Sequence, residues 1–272
     1  MSPWVFLQIF ARKTFDGSHP FAQEKAPMLP LKTTATPILL WLVTAMIGAS
    51  QNAPIVHQPP NFQIKGEQLL LDGKEFRIRA ISFEPFMPGE TPGIHSPKKL
   101  DYVYGLAKTR EANANAVYLL TGDPDNLQPA FFQRAKAEGL PIILGLWFSG
   151  EANDYNGHTG DFQDPAFKEY VRSLIRRLVD KYHGLGGADY SPQIIYVSLG
   201  NEFFEATVEQ TNNRHRVITS YQGKYVSVPK GTQTDCFLAE MMDYYKTYEA
   251  ERYQQSHYVS HHTWPVVSPR LL

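Results

Sequence analysis

Cysteine and net charge are what this sequence has least of. Its 272 residues include one cysteine, Cys236. There are 26 lysine and arginine residues and 27 aspartate and glutamate residues, which gives a net charge of −1. A single cysteine excludes an internal disulfide and a multi-cysteine metal site. The near-zero charge gives no reason to expect a nucleic-acid partner. We expect a globular chain with no cofactor and no metal, in which Cys236 is a small buried side chain near a helix start.

An apolar run long enough to span a membrane is also lacking near the N-terminus. Residues 33–56 carry no charge, but the apolar centre, residues 38–48, is about 11 residues long, whereas a transmembrane helix needs about 20. Lysines before this centre and small residues after it predict a signal peptide cleaved after Ser50. We therefore expect a secreted or periplasmic protein; an uncleaved membrane anchor is the alternative. We assign residues 1–50 to this extension, 51–61 to a proline-containing linker and 62–272 to the folded domain.

Apolar strand-like runs alternate with amphipathic helical patterns throughout the folded domain. Asp72-Gly73 is a strong hairpin signal and predicts a β-hairpin at the start of the domain. The strands predicted after it are 76–83, 116–120, 141–147, 194–199 and 258–262, and the helices between them are 97–113, 128–138, 164–182 and 234–254. This alternation predicts an α/β fold with a parallel sheet.

The strand predicted at 194–199 runs directly into Gly200-Asn201-Glu202. In barrels of alternating strands and helices, the carboxyl ends of the strands carry the chemistry. A carboxylate there, beside an amide that can bind a sugar hydroxyl, suits acid/base work on a glycosidic bond. The alternative interpretation is a helix start, with Asn201 as N-cap and Glu202 in the first turn.

Four segments resemble the retaining glycoside hydrolases of clan A, the TIM-barrel glycosidases of the family 5 and family 2 type. Residues 71–80 are similar to the opening hairpin and first strand of that clan, 113–118 to its second strand, 139–144 to its third and 200–202 to the end of its fourth. The resemblance covers residues 62–272 in order and spacing. It implies a (β/α)8 TIM-barrel fold with an N-terminal β-hairpin, of which about five of the eight βα units are present.

The resemblance also implies a function and two residue roles. In the clan, the glutamate at the position of Glu202 is the general acid/base, and the asparagine at the position of Asn201 binds the 2-hydroxyl of the sugar. We therefore expect a glycosidase that hydrolyses O-glycosidic bonds of a β-linked oligo- or polysaccharide with retention of configuration. The alternative is a sugar-binding or scaffold protein without activity on the same barrel.

The chain departs from the clan at two places. Tyr118 stands where many members have an arginine in the second strand. The clan's nucleophile, a glutamate at the end of strand seven, has no counterpart, because the predicted strands stop after the fifth. We expect the enzyme to be incomplete in this chain, either as a fragment or with a partner chain that completes the barrel.

Four further residues near the predicted strand ends are candidates for substrate binding. Trp147 and Trp264 can each stack on a sugar ring, with an aromatic lid over the core as the alternative. Glu84 can accept a hydrogen bond from a sugar hydroxyl, with a loop salt bridge as the alternative. His262 can reach the site as a hydrogen-bond donor, whereas alternation along the strand puts His261 on the other face, so the two do not share a metal ion.

Overall fold

The computed structural model describes residues 62–83, 102–125, 127–148 and 160–262. The predicted signal peptide and linker lie outside the described residues, as do Glu84 and Trp264. Within the described ranges, no helix has both the length and the apolar character needed to cross a membrane.

Strands and helices follow one another along the described chain. The strands are β1 (Phe62–Lys65), β2 (Gln68–Leu71), β3 (Lys74–Glu75), β4 (Ala80–Phe83), β5 (Ala116–Leu119), β6 (Ile142–Leu146), β7 (Ile194–Asn201), β8 (Tyr221–Gln222), β9 (Ser227–Val228) and β10 (Tyr258–His262). The α-helices are α1 (Tyr102–Glu111), α2 (Pro129–Ala137), α3 (Pro165–Gly184), α4 (Glu205–Arg214) and α5 (Gln233–Tyr253).

The main sheet has five strands in the order β10-β7-β6-β5-β4, and all its neighbouring strands are parallel. Strands that are adjacent in this sheet follow one another along the chain, and each connection contains at least one helix. The predicted parallel α/β architecture is therefore confirmed. β4 and β10 form the edges of the sheet within the described residues, and closure into an eight-stranded barrel stays a prediction.

Burial on both faces explains the apolar sequence of the central strands. Every residue of β6 is buried, and seven of the eight residues of β7 are buried. Continuous apolar runs are typical of parallel strands that are covered on both sides. On one face lies the larger core, in which α2, α3 and α5 pack against the sheet and rings of Phe162, Phe203 and Phe237 touch one another.

The antiparallel sheet β1-β2-β3 covers part of the other face. Asp72 and Gly73 connect β2 to β3 with φ angles of 52° and 77°, as a type I′ turn requires, so the predicted hairpin is confirmed. Phe62 packs in a small buried cluster with Ala116, Ile143 and Ile195 of the main sheet. The Ile64 N–H donates a hydrogen bond of 2.8 Å to the Tyr258 hydroxyl at the start of β10.

Helix α3 begins where the sequence predicts it. The Asp164 side chain caps the helix by accepting hydrogen bonds from the N–H groups of Ala166 and Phe167, and Pro165 occupies the first helical position. Its buried residues, Phe167, Val171, Leu174, Ile175, Leu178, Val179 and Tyr182, recur at intervals of three and four, the spacing of one helix face.

Two predictions about elements need correction. The first strand was expected over 76–83, but only Ala80–Phe83 joins the main sheet, because the Phe76 N–H donates its hydrogen bond to Leu69 of the hairpin instead. Helix α4 and the β8–β9 hairpin were not predicted at all. Only three residues of α4 are buried, and such a helix needs few apolar residues, so its sequence shows no clear amphipathic pattern.

Candidate functional site

The carboxyl end of β7 contains a β-bulge. The pairing with β10 matches Ser198 with Ser260 and then Asn201 with His262, so β7 has one more residue than β10 in this interval. Gly200 lies within the bulge at φ +68°, a left-handed conformation that glycine adopts without steric cost. The bulge places the two residues after Gly200 at the rim of the sheet.

Close packing also requires glycine at position 200. A Cβ atom there would lie 2.6 Å from the Phe203 ring and 2.9 Å from the Phe148 ring. Both rings belong to the large helix-covered core. The strand end that carries Asn201 and Glu202 is thus seated directly on this core.

Glu202 adopts a left-handed backbone conformation although it is not glycine. Its φ is +54°, and its N–H donates a hydrogen bond of 3.1 Å to the His262 carbonyl oxygen. Residues held in sparsely populated backbone regions cost about 1–3 kcal/mol and cluster at functional sites. The residue is half-buried, and no hydrogen bond or ion pair joins its carboxylate to any other residue that the structure describes.

Helix capping does not explain Asn201 and Glu202. Helix α4 begins at Glu205, with Phe204 as its N-cap residue and without a side-chain cap. The alternative interpretation, in which Asn201 caps a helix and Glu202 lies in its first turn, is therefore wrong.

The Asn201 side chain is completely buried and joins the ends of β5 and β7. Its amide Nδ2 donates a hydrogen bond of 2.9 Å to the Leu120 carbonyl oxygen, at the end of β5. Its Oδ1 accepts hydrogen bonds from the Tyr118 hydroxyl at 3.3 Å and from the Ser198 hydroxyl at 3.4 Å. Binding of a sugar hydroxyl by Asn201 stays a prediction, because the observed partners are all within the protein.

Gly145 is the reason that Asn201 can reach across β6. Gly145 lies in β6, between β5 and β7, and a Cβ atom there would approach the Leu120 carbonyl oxygen to less than 3.0 Å and lie 3.1 Å from Asn201 Nδ2. The amide therefore passes over a strand position that has no side chain. Sequence reasoning missed Gly145, although a glycine inside a buried strand is a signal of close approach.

Tyr118 and His262 continue this network to the edge strand β10. The Tyr118 hydroxyl lies 3.2 Å from His262 Nδ1, and the two rings are stacked with centroids 5.7 Å apart and planes at 14°. A hydroxyl has one hydrogen to donate. When that hydrogen goes to Asn201, the Nδ1–H of His262 is the donor to Tyr118.

His261 lies on the opposite face of β10, as strand alternation predicts. Its Nδ1 is 2.9 Å from the Leu199 carbonyl oxygen, and its ring centroid is 4.6 Å from that of Phe203. Burial lowers the pKa of His261 to about 4, so its ring is neutral near pH 7. His261 supports the core beneath the strand end, whereas His262 belongs to the rim.

Of the remaining predicted site residues, the structure describes Trp147. Trp147 follows the end of β6 directly and is half-buried, while Glu84 and Trp264 lie outside the described residues. The structure thus brings Tyr118, Asn201 and His262 into one hydrogen-bond network. Sequence reasoning treated Tyr118 only as a departure from a family pattern and missed this contact, since periodicity does not show which distant side chains meet.

Comparisons with known proteins return a weak likeness. Models of protein families give no match to the chain, and curated proteins give none. Solved structures that are similar include a GH2 β-galacturonidase from Eisenbergiella tayi, at 18% identity over 58% of this chain and 26% of that one with a TM-score of 0.38. A β-glucuronidase from Ruminococcus gnavus matches at 16% identity over 69% of this chain and 27% of that one, with a TM-score of 0.43.

The chain thus spans about a quarter of the length of these two structures. TM-scores of this size carry no argument about the fold or the activity of this chain, and no family membership follows from them.

Proposed function

We propose that this chain acts as a glycosidase on β-linked oligo- or polysaccharides, with Glu202 as the general acid/base. One observation carries the proposal. Glu202 lies half-buried at the carboxyl end of a parallel strand, in a left-handed backbone conformation, with a carboxylate that has no partner among the described residues. Carboxyl ends of strands are where α/β sheets bind their ligands.

A retaining reaction uses such a carboxyl group twice. Protonated Glu202 first gives its proton to the oxygen of the leaving sugar, and the resulting carboxylate then takes a proton from the water that attacks the glycosyl-enzyme. The mechanism needs a second carboxylate as nucleophile, about 5–5.5 Å from the first. We assign no residue of this chain to that role, and a partner chain that supplies it remains part of the proposal.

The neighbours of Glu202 suit orientation and substrate contact. Asn201 acts first as a positioning residue, because its bonds to Leu120, Tyr118 and Ser198 fix the backbone from which Glu202 projects. His262 and Glu84 are proposed to hydrogen-bond sugar hydroxyls. Trp147 and Trp264 are proposed to stack on sugar rings.

The test is hydrolysis of β-linked disaccharides and aryl β-glycosides by the full chain and by Glu202→Gln. The variant keeps the size of the side chain but removes its proton, and general acid/base catalysis is worth about 10²- to 10⁴-fold. The loss should be full for sugar leaving groups and smaller for phenolates, which need less protonation. Azide should partly restore turnover, because it attacks the glycosyl-enzyme without a base.

Glu205→Gln is the matched control, since Glu205 is an exposed glutamate three residues further on, in the first turn of α4. Its activity should equal that of the unaltered chain. Equal activity of the Glu202 variant would place the acid/base elsewhere. If the unaltered chain binds sugars, measured by tryptophan fluorescence, but turns none over, the inactive sugar-binding function replaces the proposal.

A further inference from the structure

Three metal-ligating side chains meet in the interior at the amino end of β10, away from the rim that carries Glu202. His183 lies in the last turn of α3, Glu249 in α5 and His257 directly before β10. Glu249 and His257 are completely buried, and the His183 side chain is 2% exposed. One ligand atom from each of the three lies within 4.8 Å of the other two.

The partners of the two histidines determine which ring nitrogens carry hydrogen. Nε2 of His257 is 2.9 Å from the Ser191 carbonyl oxygen, which can only accept, so this nitrogen is protonated. Nδ1 of His183 faces the Asp189 carboxylate at 3.5 Å, which favours a proton there as well. In neutral rings, the lone pairs therefore lie on Nδ1 of His257 and Nε2 of His183.

Both of these nitrogens point at one carboxylate oxygen. His183 Nε2 is 3.2 Å from Glu249 Oε1, and His257 Nδ1 contacts the same atom. With the lone pairs so placed, three electron-pair donors converge in a buried space, which favours a positive species between them.

We propose that this species is Zn²⁺, held by His183 Nε2, Glu249 Oε1 and His257 Nδ1. Two imidazoles and one carboxylate form a common zinc ligand set. Histidines that bind metals usually donate their other ring N–H to a carbonyl or a carboxylate, and Ser191 and Asp189 provide these two acceptors. The site ties the end of α3 to α5 and to the segment that enters β10.

The distances suit zinc with one adjustment. Tetrahedral bonds of about 2.0–2.2 Å put ligand atoms roughly 3.3–3.5 Å apart, close to the 3.2 Å between His183 Nε2 and Glu249 Oε1. The contact between His257 and Glu249 is shorter and must open as the ion replaces the proton between them. The Tyr182 hydroxyl donates a hydrogen bond of 2.7 Å to Oε1 and helps to orient this carboxylate.

One charged neighbour opposes a cation at this site. The Lys246 ammonium group is buried and donates a hydrogen bond of 2.9 Å to the His257 carbonyl oxygen. The competing occupant is therefore a proton shared by His257 and Glu249, with no metal. This occupant and the zinc ion make different predictions.

The experiment begins with the full chain stripped of metal by a chelator and titrated with Zn²⁺ in a calorimeter. We expect one equivalent to bind, a rise in melting temperature, and release of protons, seen as a binding heat that depends on the ionisation enthalpy of the buffer. Co²⁺ in place of Zn²⁺ should give the visible absorption of a tetrahedral site. A stripped chain that binds no zinc tightly and shows no shift in melting temperature would leave the proton as the occupant and overturn the proposal.

Two variants test the ligands. Glu249→Gln removes the charge, and His183→Gln removes one nitrogen while keeping a donor toward Glu249; each should weaken zinc binding at least tenfold. His183 is the less buried of the two positions, so this variant keeps the test usable if the first does not fold. The control is His215→Gln, because His215 pairs with Asp161 at 2.9 Å outside this cluster. One equivalent of zinc bound equally by the His183 variant would also overturn the proposal.

Discussion

Gly145 shows how much of the rim depends on one missing side chain. A methyl group at this position would push into the Leu120 carbonyl group and against the Asn201 amide, and overpacking of this kind costs about 1–3 kcal/mol. We therefore expect Gly145→Ala to lower the unfolding free energy by this amount in urea denaturation, and to reduce any activity further by displacing Asn201.

Gly184→Ala is the control, since a Cβ atom at Gly184 meets nothing within 4 Å. That variant should unfold within about 0.5 kcal/mol of the unaltered chain. Equal stability of both variants would show that β5 and β7 can move apart without loss of unfolding free energy. The contact of Asn201 with Leu120 would then not depend on glycine at position 145.

His261 makes stability depend on pH in a predictable direction. Its pKa falls from about 6.5 in an unfolded chain to about 4 in the fold because loss of hydration disfavours the charged ring. Between these values the unfolded chain binds the extra proton, so the unfolding free energy contributed by this residue falls as the pH drops from about 6.5 to 4. Above pH 6.5 the contribution is complete.

The measurement is a series of urea unfolding curves for the unaltered chain and for His261→Asn. Asparagine retains a donor toward the Leu199 carbonyl oxygen but does not titrate. The difference in unfolding free energy between the two proteins should shrink as the pH drops through this window. A difference that is constant from pH 7 to pH 4 contradicts the assignment.

Positions of the candidate residues at strand ends could be read from the sequence, but their conformations could not. The apolar run before Asn201 and Glu202 correctly indicated that both lie at the end of a buried strand. Two interpretations, a helix cap and a catalytic strand end, fit the residue types Asn201 and Glu202 equally well. The start of α4 at Glu205 excludes the cap, while the bulge is visible only in the register against β10, a strand more than 50 residues away.

At the scale of elements, the cap of α3 is the most direct link from a residue to a helix. Asp164 Oδ1 accepts hydrogen bonds from Ala166 N at 2.7 Å and from Phe167 N at 3.3 Å. Replacement of an N-cap aspartate by alanine costs about 0.5–2 kcal/mol. Asp164→Ala should lower the unfolding free energy by this amount in thermal or urea unfolding.

Asp164→Asn separates the cap from the charge, because asparagine caps helices about as well as aspartate. We expect this variant to keep most of the stability. A loss as large as that of the alanine variant would assign the effect to the carboxylate charge rather than to the two hydrogen bonds.

Helices with deep burial were predictable, and small peripheral elements were not. Helix α5 begins at the capping box formed by Thr232 and Asp235 and buries most of its length, close to the predicted span of 234–254. The β8–β9 hairpin has two residues in each strand. The Asp243 carboxylate from α5 holds the loop between them by accepting hydrogen bonds from Tyr225 N and Val226 N, and no local pattern announces such a contact.

At the scale of the whole molecule, the two faces of the main sheet differ in their amount of packing. The helix-covered face contains the large core with Leu178 completely buried, whereas the other face has a small cluster and the Tyr118 network. We expect Leu178→Ala to cost about 2–5 kcal/mol of unfolding free energy. Tyr118→Phe should cost only about 0.5–1.5 kcal/mol, the net value of a hydrogen bond.

Urea unfolding of both variants measures the two losses of stability, and assays of hydrolysis measure the two losses of activity. Leu178→Ala should retain the activity of its folded fraction, while Tyr118→Phe should lose activity out of proportion to its stability. The reverse pattern would mean that the site depends on the helix-covered core rather than on the network across β5, β7 and β10.

The order of the parallel strands was foreseeable from the alternation of strands and helices, because consecutive strands joined through a helix usually lie side by side. Closure of a barrel was not, since it depends on how the edge strands β4 and β10 are covered. No short-range pattern in the sequence determines that.

The hydrogen bond between Ile64 N and the Tyr258 hydroxyl has a consequence for the synthesis of the protein on the ribosome. The two residues are 194 positions apart, and synthesis at about 5–20 residues per second takes roughly 10–40 s to cover that distance. The hairpin leaves the ribosome early, and Tyr258, which accepts its hydrogen bond, leaves late. During this interval its apolar side chains, such as Leu69 and Leu71, are open to chaperones, so the pace of translation governs how long the nascent chain needs protection.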